Sequence, residues 1–323
     1  MAGIVTIFGG TGFVGRYVTR RMAKDGWRIR VVTRDPNAAG FLRPYGSVGQ
    51  VEPVFGNIRD DASVRQAIRG ADVVINCVGS MAIGGRNSFA AINDQGAARI
   101  ARIASEEGVR RLVHVSALGA DAGSASAYQR SKAAGEAAVQ AAFADAVILR
   151  PSVIFGTEDD FFNRFAGMPG PILPIVGGNS WFQPVWVDDV AAAAVKGAEG
   201  AAPGVYELGG PDVMTLRELM KMVLAEIRRR KLVINLPFWL GRVIGGVTGF
   251  AKTLSLGIVP QPVTPDQVAA LRSDNVVAPG ARGLADLGIE PTDMAAILPG
   301  YLWRFRPSGQ YLAIKESARN LKA

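Results

Sequence analysis

The segment Gly9-Gly10-Thr11-Gly12-Phe13-Val14-Gly15 constrains this chain more than any other. It sits between a β-branched run, residues 4–8, and a segment of helical periodicity, residues 14–24. Glycines at this spacing allow a tight turn, close approach of backbone to a pyrophosphate, and close packing of helix on strand. The helix that follows points free N–H groups and the positive end of its dipole at the phosphates. Such a turn belongs at the head of a βαβ series, and the sequence continues as one. Residues 28–33, 51–55, 73–78, 112–116 and 146–150 read as strands buried on both faces, because they barely alternate. Residues 62–69, 90–107 and 127–142 read as helices, with Gly26, Gly70 and Gly108 at the ends of three helical segments. The pattern predicts an α/β fold: a Rossmann-type, doubly wound parallel sheet with helices on both faces.

The pattern loosens after Pro151. Residues 185–187 and 205–208 look like short strands. Thr215 and Glu218 form a capping box for a helix running to about Arg230. We expect a dinucleotide-binding core over residues 1–155, with later strands returning to it. Residues 156–323 form a smaller C-terminal α/β region for substrate or docking. No internal repeat is visible.

Composition removes several function classes. With 49% apolar and 20% charged residues there is ample material for a core. One cysteine, Cys77, and one histidine, His114, are too few for a structural zinc site, which wants about four such ligands. No metal site is expected, no disulfide framework is available, and a lone thiol suits a reducing compartment. His114 lies in an apolar run and reads as a buried structural imidazole rather than the base of a Ser-His-Asp triad.

Charge is unevenly placed. Lys and Arg number 36 against 28 Asp and Glu, a net charge of +8. Residues 217–231 hold six basic and two acidic side chains, and residues 299–323 hold five and one. Such stretches are either solvated helix faces or docking surfaces for something anionic. No base-stacking module accompanies them, so nucleic acid is not an expected partner. Met1-Ala2-Gly3 runs directly into the first strand, so no targeting segment is expected. The uncharged stretch 165–187 is broken by four prolines, and residues 237–259 are interrupted by Arg242 and Lys252. Neither is expected to span a membrane.

The end of the second strand decides which dinucleotide is bound. A carboxylate there would accept bonds from the ribose 2′-OH of NAD. This sequence has Thr33-Arg34, with Arg16 directly after the last glycine of the turn. Two guanidiniums suit the 2′-phosphate of NADP(H). Asp35 leaves an alternative, since it could pair with Arg34 or reach a ribose itself.

Tyr128 and Lys132 lie four residues apart on a predicted helix, which puts phenol and ammonium on one face. A nearby ammonium favours the phenolate, moving a tyrosine towards acid–base chemistry. Ser116, at the end of a strand, could hydrogen-bond a substrate carbonyl. Ser116, Tyr128 and Lys132 are therefore the candidate catalytic residues, either operating or vestigial.

Together, the glycine turn, Ser116 and Tyr128-x-x-x-Lys132 resemble the short-chain dehydrogenase/reductase superfamily in its extended or atypical, epimerase/dehydratase-like branch. The likeness tightens at Arg150-Pro-Ser-Val-Ile-Phe-Gly156 and Glu158-Asp-Asp-Phe-Phe-Asn-Arg-Phe165. It continues through Gln183-Pro-Val-Trp-Val-Asp-Asp-Val-Ala191, Tyr206-Glu-Leu-Gly-Gly-Pro211, Thr264-Pro-Asp-Gln-Val268 and Asp274-Asn-Val-Val277. This series is similar to the family of NADP(H)-binding accessory subunits of respiratory complex I, alpha subcomplex subunit 9, in a bacterial form. The resemblance implies an NADP(H) held for structure more than turnover, with complex I subunits as partners. It implies a peripheral position on the cytoplasmic side of the bacterial inner membrane, or the matrix side in an organelle. By the same resemblance, Gly9, Thr11, Gly12, Phe13, Val14 and Gly15 cradle the pyrophosphate and Arg34 meets the 2′-phosphate. Asn57 and Ile58 meet the adenine, and Val78 and Gly79 the ribose. Tyr128, Lys132, Pro151 and Ser152 surround the nicotinamide and its ribose. A soluble NADP-dependent reductase, dehydrogenase or epimerase, and an NADP(H)-sensing regulator, are the alternatives. The segment 237–259 is expected to present Phe238, Trp239, Leu240, Val243, Ile244, Val247, Phe250 and Leu254 to membrane-arm subunits or anionic lipid.

Overall fold

The first strand, β1 (Ile4–Phe8), is buried at every residue but its first. The strands around it read the same way: all four residues of β4 (Val73–Asn76) are buried. Strands covered on both faces need helices above and below, and the chain supplies them in alternation. In order these are α1 (Phe13–Lys24), β2 (Arg28–Thr33), β3 (Val51–Phe55), α2 (Asp61–Ile68), β4, α3 (Gln95–Glu106), β5 (Arg111–Val115), α4 (Ala127–Ala142) and β6 (Val147–Pro151). Later the chain returns with α5 (Val187–Glu199) and β7 (Gly204–Leu208). This computed structural model describes residues 3–80, 87–254, 263–307 and 309–311.

The seven strands form one parallel sheet in the order β7-β6-β5-β4-β1-β2-β3. Strand order reverses at β1, so the carboxyl ends of β1 and β4 open the crevice where such folds bind ligands. On one face, Val64 and Ile68 of α2 and Ile100 and Ile103 of α3 pack with Phe8, Val32 and Val74. On the other, α1 and α5 lie together, tied by Arg21, which donates twice to the Asp188 carboxylate at 2.8 Å. At Gly197 of α5, a Cβ would come within 2.8 Å of Val113 and 3.2 Å of Val147. Its absence lets α5 sit directly on β5 and β6. Gly26, Gly70 and Gly108 adopt left-handed conformations at the helix ends, as the sequence predicts.

The chain divides into two compact units. The first comprises Met1–Ser152, Val187–Gly209 and Val277–Pro291; the second comprises Val153–Trp186, Gly210–Val276 and Thr292–Ala323. The boundary falls at Ser152 rather than 155, and two later segments, not only strands, rejoin the first unit. α5 is a helix the sequence reading did not predict.

The second unit has its own core, including Phe155, Phe162, Leu173, Leu219, Met220, Val223, Leu298 and Leu302. Asp159 is buried at its centre and accepts from Phe162 N (2.7 Å), Asn163 N (3.1 Å), Gly156 N (3.2 Å) and the Tyr301 hydroxyl (2.6 Å). The capping box of Thr215 and Glu218 forms as predicted, and its helix, Leu216–Glu226, ends four residues before Arg230. Strands Ile172–Val176 and Leu232–Leu236 pair in parallel as a two-stranded ribbon, followed by the helix Phe238–Leu254. Of the expected docking face, Trp239, Val243 and Val247 are exposed, whereas Phe238, Leu240 and Ile244 are half-buried. At 100° per residue Trp239, Leu240, Val243, Ile244 and Val247 fall within an arc of about 140°, and Phe238 lies apart from it. The side chains of Phe250 and Leu254, residues 255–259, and residues 312–323 of the second basic stretch lie outside the described residues. No helix among the described residues is long and apolar enough to cross a membrane. No group of three or more His, Cys, Asp or Glu among them could hold a metal ion.

Candidate nucleotide-binding site

The glycine turn is built so closely that side chains have no place in it. Gly9 closes β1 at φ +74°, in the left-handed region, and its carbonyl accepts Gly12 N at 2.9 Å. A Cβ at Gly15 would lie 2.2 Å from Gly9 O and 2.6 Å from Gly10 Cα. Helix α1 therefore sits against the turn with no room for a methyl group. Gly12 is the N-cap of α1 and supplies no side-chain partner. The first-turn N–H groups of Phe13, Val14 and Gly15 lack intrahelical acceptors. They form the positive end of the helix, the arrangement that holds a pyrophosphate.

A cleft of about 280 Å³ opens beside this turn, at the point where strand order reverses. Phe8, Gly9 and Thr11 line it from β1, and Val78, Gly79 and Ser80 from the end of β4. Val32, Thr33 and Arg34 line it from β2, and Gly56, Asn57, Ile58 and Arg59 from beyond β3. Seven of the sequence-predicted cofactor residues thus meet at one cleft: Gly9, Thr11, Arg34, Asn57, Ile58, Val78 and Gly79. Phe13, Val14, Arg16, Pro151 and Ser152 do not line it. Gly12 and Gly15 belong to the adjoining turn.

The charged groups at the far end are sorted by their hydrogen bonds. Asp35 Oδ1 accepts Asn37 N at 3.0 Å and Ala38 N at 3.2 Å, so this carboxylate caps its own loop. Arg16 donates to the carbonyls of Gly12 (3.3 Å) and Thr11 (3.2 Å) and lies over the Phe41 ring, so it braces the turn. Arg34 is exposed at the cleft. Arg59, which the sequence reading missed, lines the same cleft and donates to Asn87 Oδ1 at 3.3 Å. Its signal was available: it directly follows Asn57-Ile58.

At the carboxyl ends of β5 and β6 lie Ser116, Pro151 and Ser152, joined by Ser116 N to Leu149 O (2.7 Å) and Leu118 N to Pro151 O (2.9 Å). Ser116 is buried and its Oγ has no hydrogen-bond partner. Lys132 is buried on α4 and donates from Nζ to Val115 O at 3.3 Å. A Cβ at Gly79 would lie 3.0 Å from that Nζ, which places the ammonium beside the β4 end of the cleft. Burial lowers Lys132 to about 8, against the opposing pull of Glu136 and Cys77. Burial also raises Tyr128 to about 12. This corrects the expectation that the ammonium favours the phenolate: desolvation dominates, and Lys132 spends a hydrogen bond on a backbone carbonyl. Tyr128 stands edge-on to Phe89, with ring centroids 5.7 Å apart.

Asn93 fixes this region from below. It accepts Ser80 N (3.1 Å) and donates to Ser131 Oγ (3.1 Å) on α4, from a π-helical turn at Ala90–Asp94. His114 is a neutral structural group. Its Nδ1 meets Asn76 Nδ2 at 3.1 Å, and burial, then Lys132, lowers it to about 3. Burial pushes the Cys77 thiol up to about 12, leaving it protonated and unreactive.

The sheet order, the glycine turn and the cleft at the switch point define a Rossmann-type NAD(P)-binding protein. The NAD(P)H-binding family matches residues 9–167. The mitochondrial NADH dehydrogenase [ubiquinone] 1 alpha subcomplex subunit 9 of Arabidopsis thaliana is 36% identical over 321 residues, 96% of this chain and 80% of that protein. This chain belongs to the family of those alpha subcomplex subunits 9. It is also similar to a ceramide reductase of Caulobacter vibrioides, at 34% identity over 73% of this chain and 74% of that one. Among solved structures, the UDP-glucose 4-epimerase of Thermus thermophilus in complex with NAD superimposes with a TM-score of 0.67. It covers 94% of this chain and 99% of its own, at 20% identity, which is a likeness of fold.

Proposed function

We propose that the chain is an NADP(H)-binding accessory or assembly subunit of respiratory complex I, the NADH:ubiquinone oxidoreductase, with its nucleotide held mainly for structure. The observation that carries this is similarity over nearly the whole length to subunits of NADH dehydrogenase, second unit included. The complex I subunits are then its partners, and its position is peripheral, on the cytoplasmic side of the bacterial inner membrane or the matrix side in an organelle. Anionic lipid lies within reach there.

The residues present fit the nucleotide. Only glycine is accommodated at Gly15, and a buried hydroxyl, Ser116 Oγ, has no partner. Gly9, Thr11, Gly12, Phe13, Val14 and Gly15 would hold the pyrophosphate. Arg34 would meet the 2′-phosphate and Arg59 would flank it, while Arg16 braces the turn beneath. Asn57 and Ile58 would meet the adenine, and Val78 and Gly79 the ribose. Tyr128, Lys132, Pro151 and Ser152 would surround the nicotinamide end. NADP(H) over NAD(H) is supported by the exposed Arg34 and by an Asp35 carboxylate engaged with its own loop. When bound, NADP(H) would supply a hydride-carrying nicotinamide, and burial holds the Tyr128 phenol above its ordinary value, away from the phenolate. An affinity-tagged chain recovered from detergent-solubilised membranes should bring complex I core subunits with it. Recovery free of them would overturn this assignment.

A second reading, an NADP-dependent reductase, dehydrogenase or epimerase, is favoured by one arrangement: Ser116 and Lys132 lie at the sheet's carboxyl ends, and Tyr128 is one helical turn before Lys132 on α4. It requires NADPH oxidation by the isolated chain with a carbonyl substrate.

A further inference from the structure

The second unit gathers six cationic side chains of residues 217–231 along one groove. A groove of about 850 Å³ is lined by Arg217, Lys221, Arg228, Arg229, Arg230 and Lys231, with Leu232 and Val233 completing one wall. The two acidic residues of this stretch are committed elsewhere. Glu218 caps its helix, accepting Thr215 N at 2.8 Å and Thr215 Oγ1 at 2.7 Å. Glu226 is paired with Arg306, whose Nε also donates to the Glu226 carbonyl at 2.9 Å. Lys231 donates to Met168 O, whereas Nε of Arg217 is buried with no hydrogen-bond partner.

Apolar surface begins where the basic wall ends. In the two-stranded ribbon, Leu232 pairs in register with Ile172 and Ile234 with Pro174. Leu173 and Ile175 point inward to the core. The alternate residues of both strands therefore share the outer face, where Leu232 is 64% and Ile172 47% exposed. Leu232 belongs to the groove wall as well, so cationic and aliphatic surfaces abut. Three residues beyond the ribbon stands Trp239, 65% exposed, at the head of a helix whose Val243 and Val247 follow it at four-residue spacing on the open side.

We infer that this surface docks on an anionic phospholipid bilayer. The basic side chains would meet headgroup phosphates, and the ribbon face and Trp239 would enter the interfacial layer. Clustered Lys and Arg beside exposed aliphatic residues and a tryptophan is the composition that binds such an interface. An acidic protein partner would satisfy the cations but leaves the aliphatic face unexplained. The inference deepens the peripheral placement proposed above by naming its surface. Its test involves no other subunit, so either can fail without the other.

The full-length chain is sedimented with vesicles of phosphatidylcholine alone and of phosphatidylcholine with phosphatidylglycerol. Binding should require phosphatidylglycerol and weaken with salt. Each cation near an anionic surface raises partitioning about fivefold, so Lys221→Gln with Arg229→Gln and Arg230→Gln should weaken binding about a hundredfold. Leu232→Ser with Trp239→Ser should remove the binding that persists at high salt. Both variants should melt as the parent does, because all five side chains are at the surface. Equal binding to the two vesicle types would overturn the inference, as would undiminished binding by the glutamine variant. Preference for soluble polyglutamate over phosphatidylglycerol vesicles would overturn it in favour of an acidic protein.

Discussion

Gly15→Ala and Gly12→Ala should separate two roles of one turn. The methyl group of Gly15→Ala would stand 2.2 Å from Gly9 O and 2.6 Å from Gly10 Cα, both backbone atoms of the turn itself. Van der Waals contact requires roughly 1 Å more, so α1 must move. That helix buries Val18 and Met22 completely, and displacing it disturbs the sheet face beneath. Overpacking costs about 1–3 kcal/mol, and contacts against backbone belong at the upper end. In a unit of this size that lowers the melting temperature by about 6–10 °C without any ligand. Gly12→Ala is different. Its Cβ would meet only Gly9 O at 3.2 Å, and its φ of −73° is open to any residue. The unliganded fold should lose less than about 1 kcal/mol. The methyl would nevertheless stand at the mouth of α1, where a pyrophosphate approaches. NADPH at a hundred times its dissociation constant adds about 2.7 kcal/mol to the parent, and Gly12→Ala should forfeit most of that. Scanning calorimetry with and without NADPH reads both effects. The reasoning is refuted if Gly15→Ala melts with the parent, or if Gly12→Ala keeps the full NADPH shift.

Arg34→Ala should lower NADPH affinity at least tenfold and leave NADH affinity nearly unchanged, because a charge-assisted hydrogen bond contributes about 1.5–3 kcal/mol. Calorimetric titration of both nucleotides checks it, and equal curves for the parent contradict it. His114 is held at about 3, below its ordinary value, so between pH 6.5 and 3 the unfolded state binds the extra proton. Stability should therefore fall as pH drops through 6.5, by about 1.4 kcal/mol per unit before the carboxylates join in, and His114→Gln should remove that slope. Denaturant midpoints at pH 7 and 5 measure it. Tyr301→Phe deletes the 2.6 Å hydrogen bond to the buried Asp159 carboxylate and should destabilise the second unit by about 1.5–3 kcal/mol. NADPH titration of that variant should match the parent.

The sequence was most legible where one residue type does one job. β1, β2, β3 and α4 fall where periodicity puts them, and the glycine turn shows its purpose because nothing but glycine fits between Gly9 O and α1. α5 was missed although its sequence, Val187-Asp188-Asp189-Val190-Ala191, carries a helix-start signature of acidic first-turn residues. The preceding Val185-Trp186 does form a strand, and that apolar run masked the change of period at residue 187. The order of the later elements was illegible because the chain leaves the first unit and returns twice, a long-range choice that local patterns do not record. Within the site, spacing located Tyr128 and Lys132 on one helix face but not their environment. Their values follow from burial, which only the packed structure reveals. Arg16 lay beyond reach for the same reason: its bonds to Thr11 and Gly12 carbonyls depend on how the turn closes.

The central claim is that the nucleotide serves assembly rather than turnover of a substrate by this chain. Tyr128→Phe removes one phenolic proton and keeps the ring beside Phe89, whereas Gly12→Val fills the mouth of α1. The decisive measurement is the NADH:quinone activity and amount of assembled complex I in membranes carrying Tyr128→Phe, with Gly12→Val as the reference for a lost nucleotide. The account predicts near-normal activity and assembly for Tyr128→Phe and depletion of both for Gly12→Val. A Tyr128→Phe chain that stays folded and nucleotide-bound while respiration is lost would contradict it.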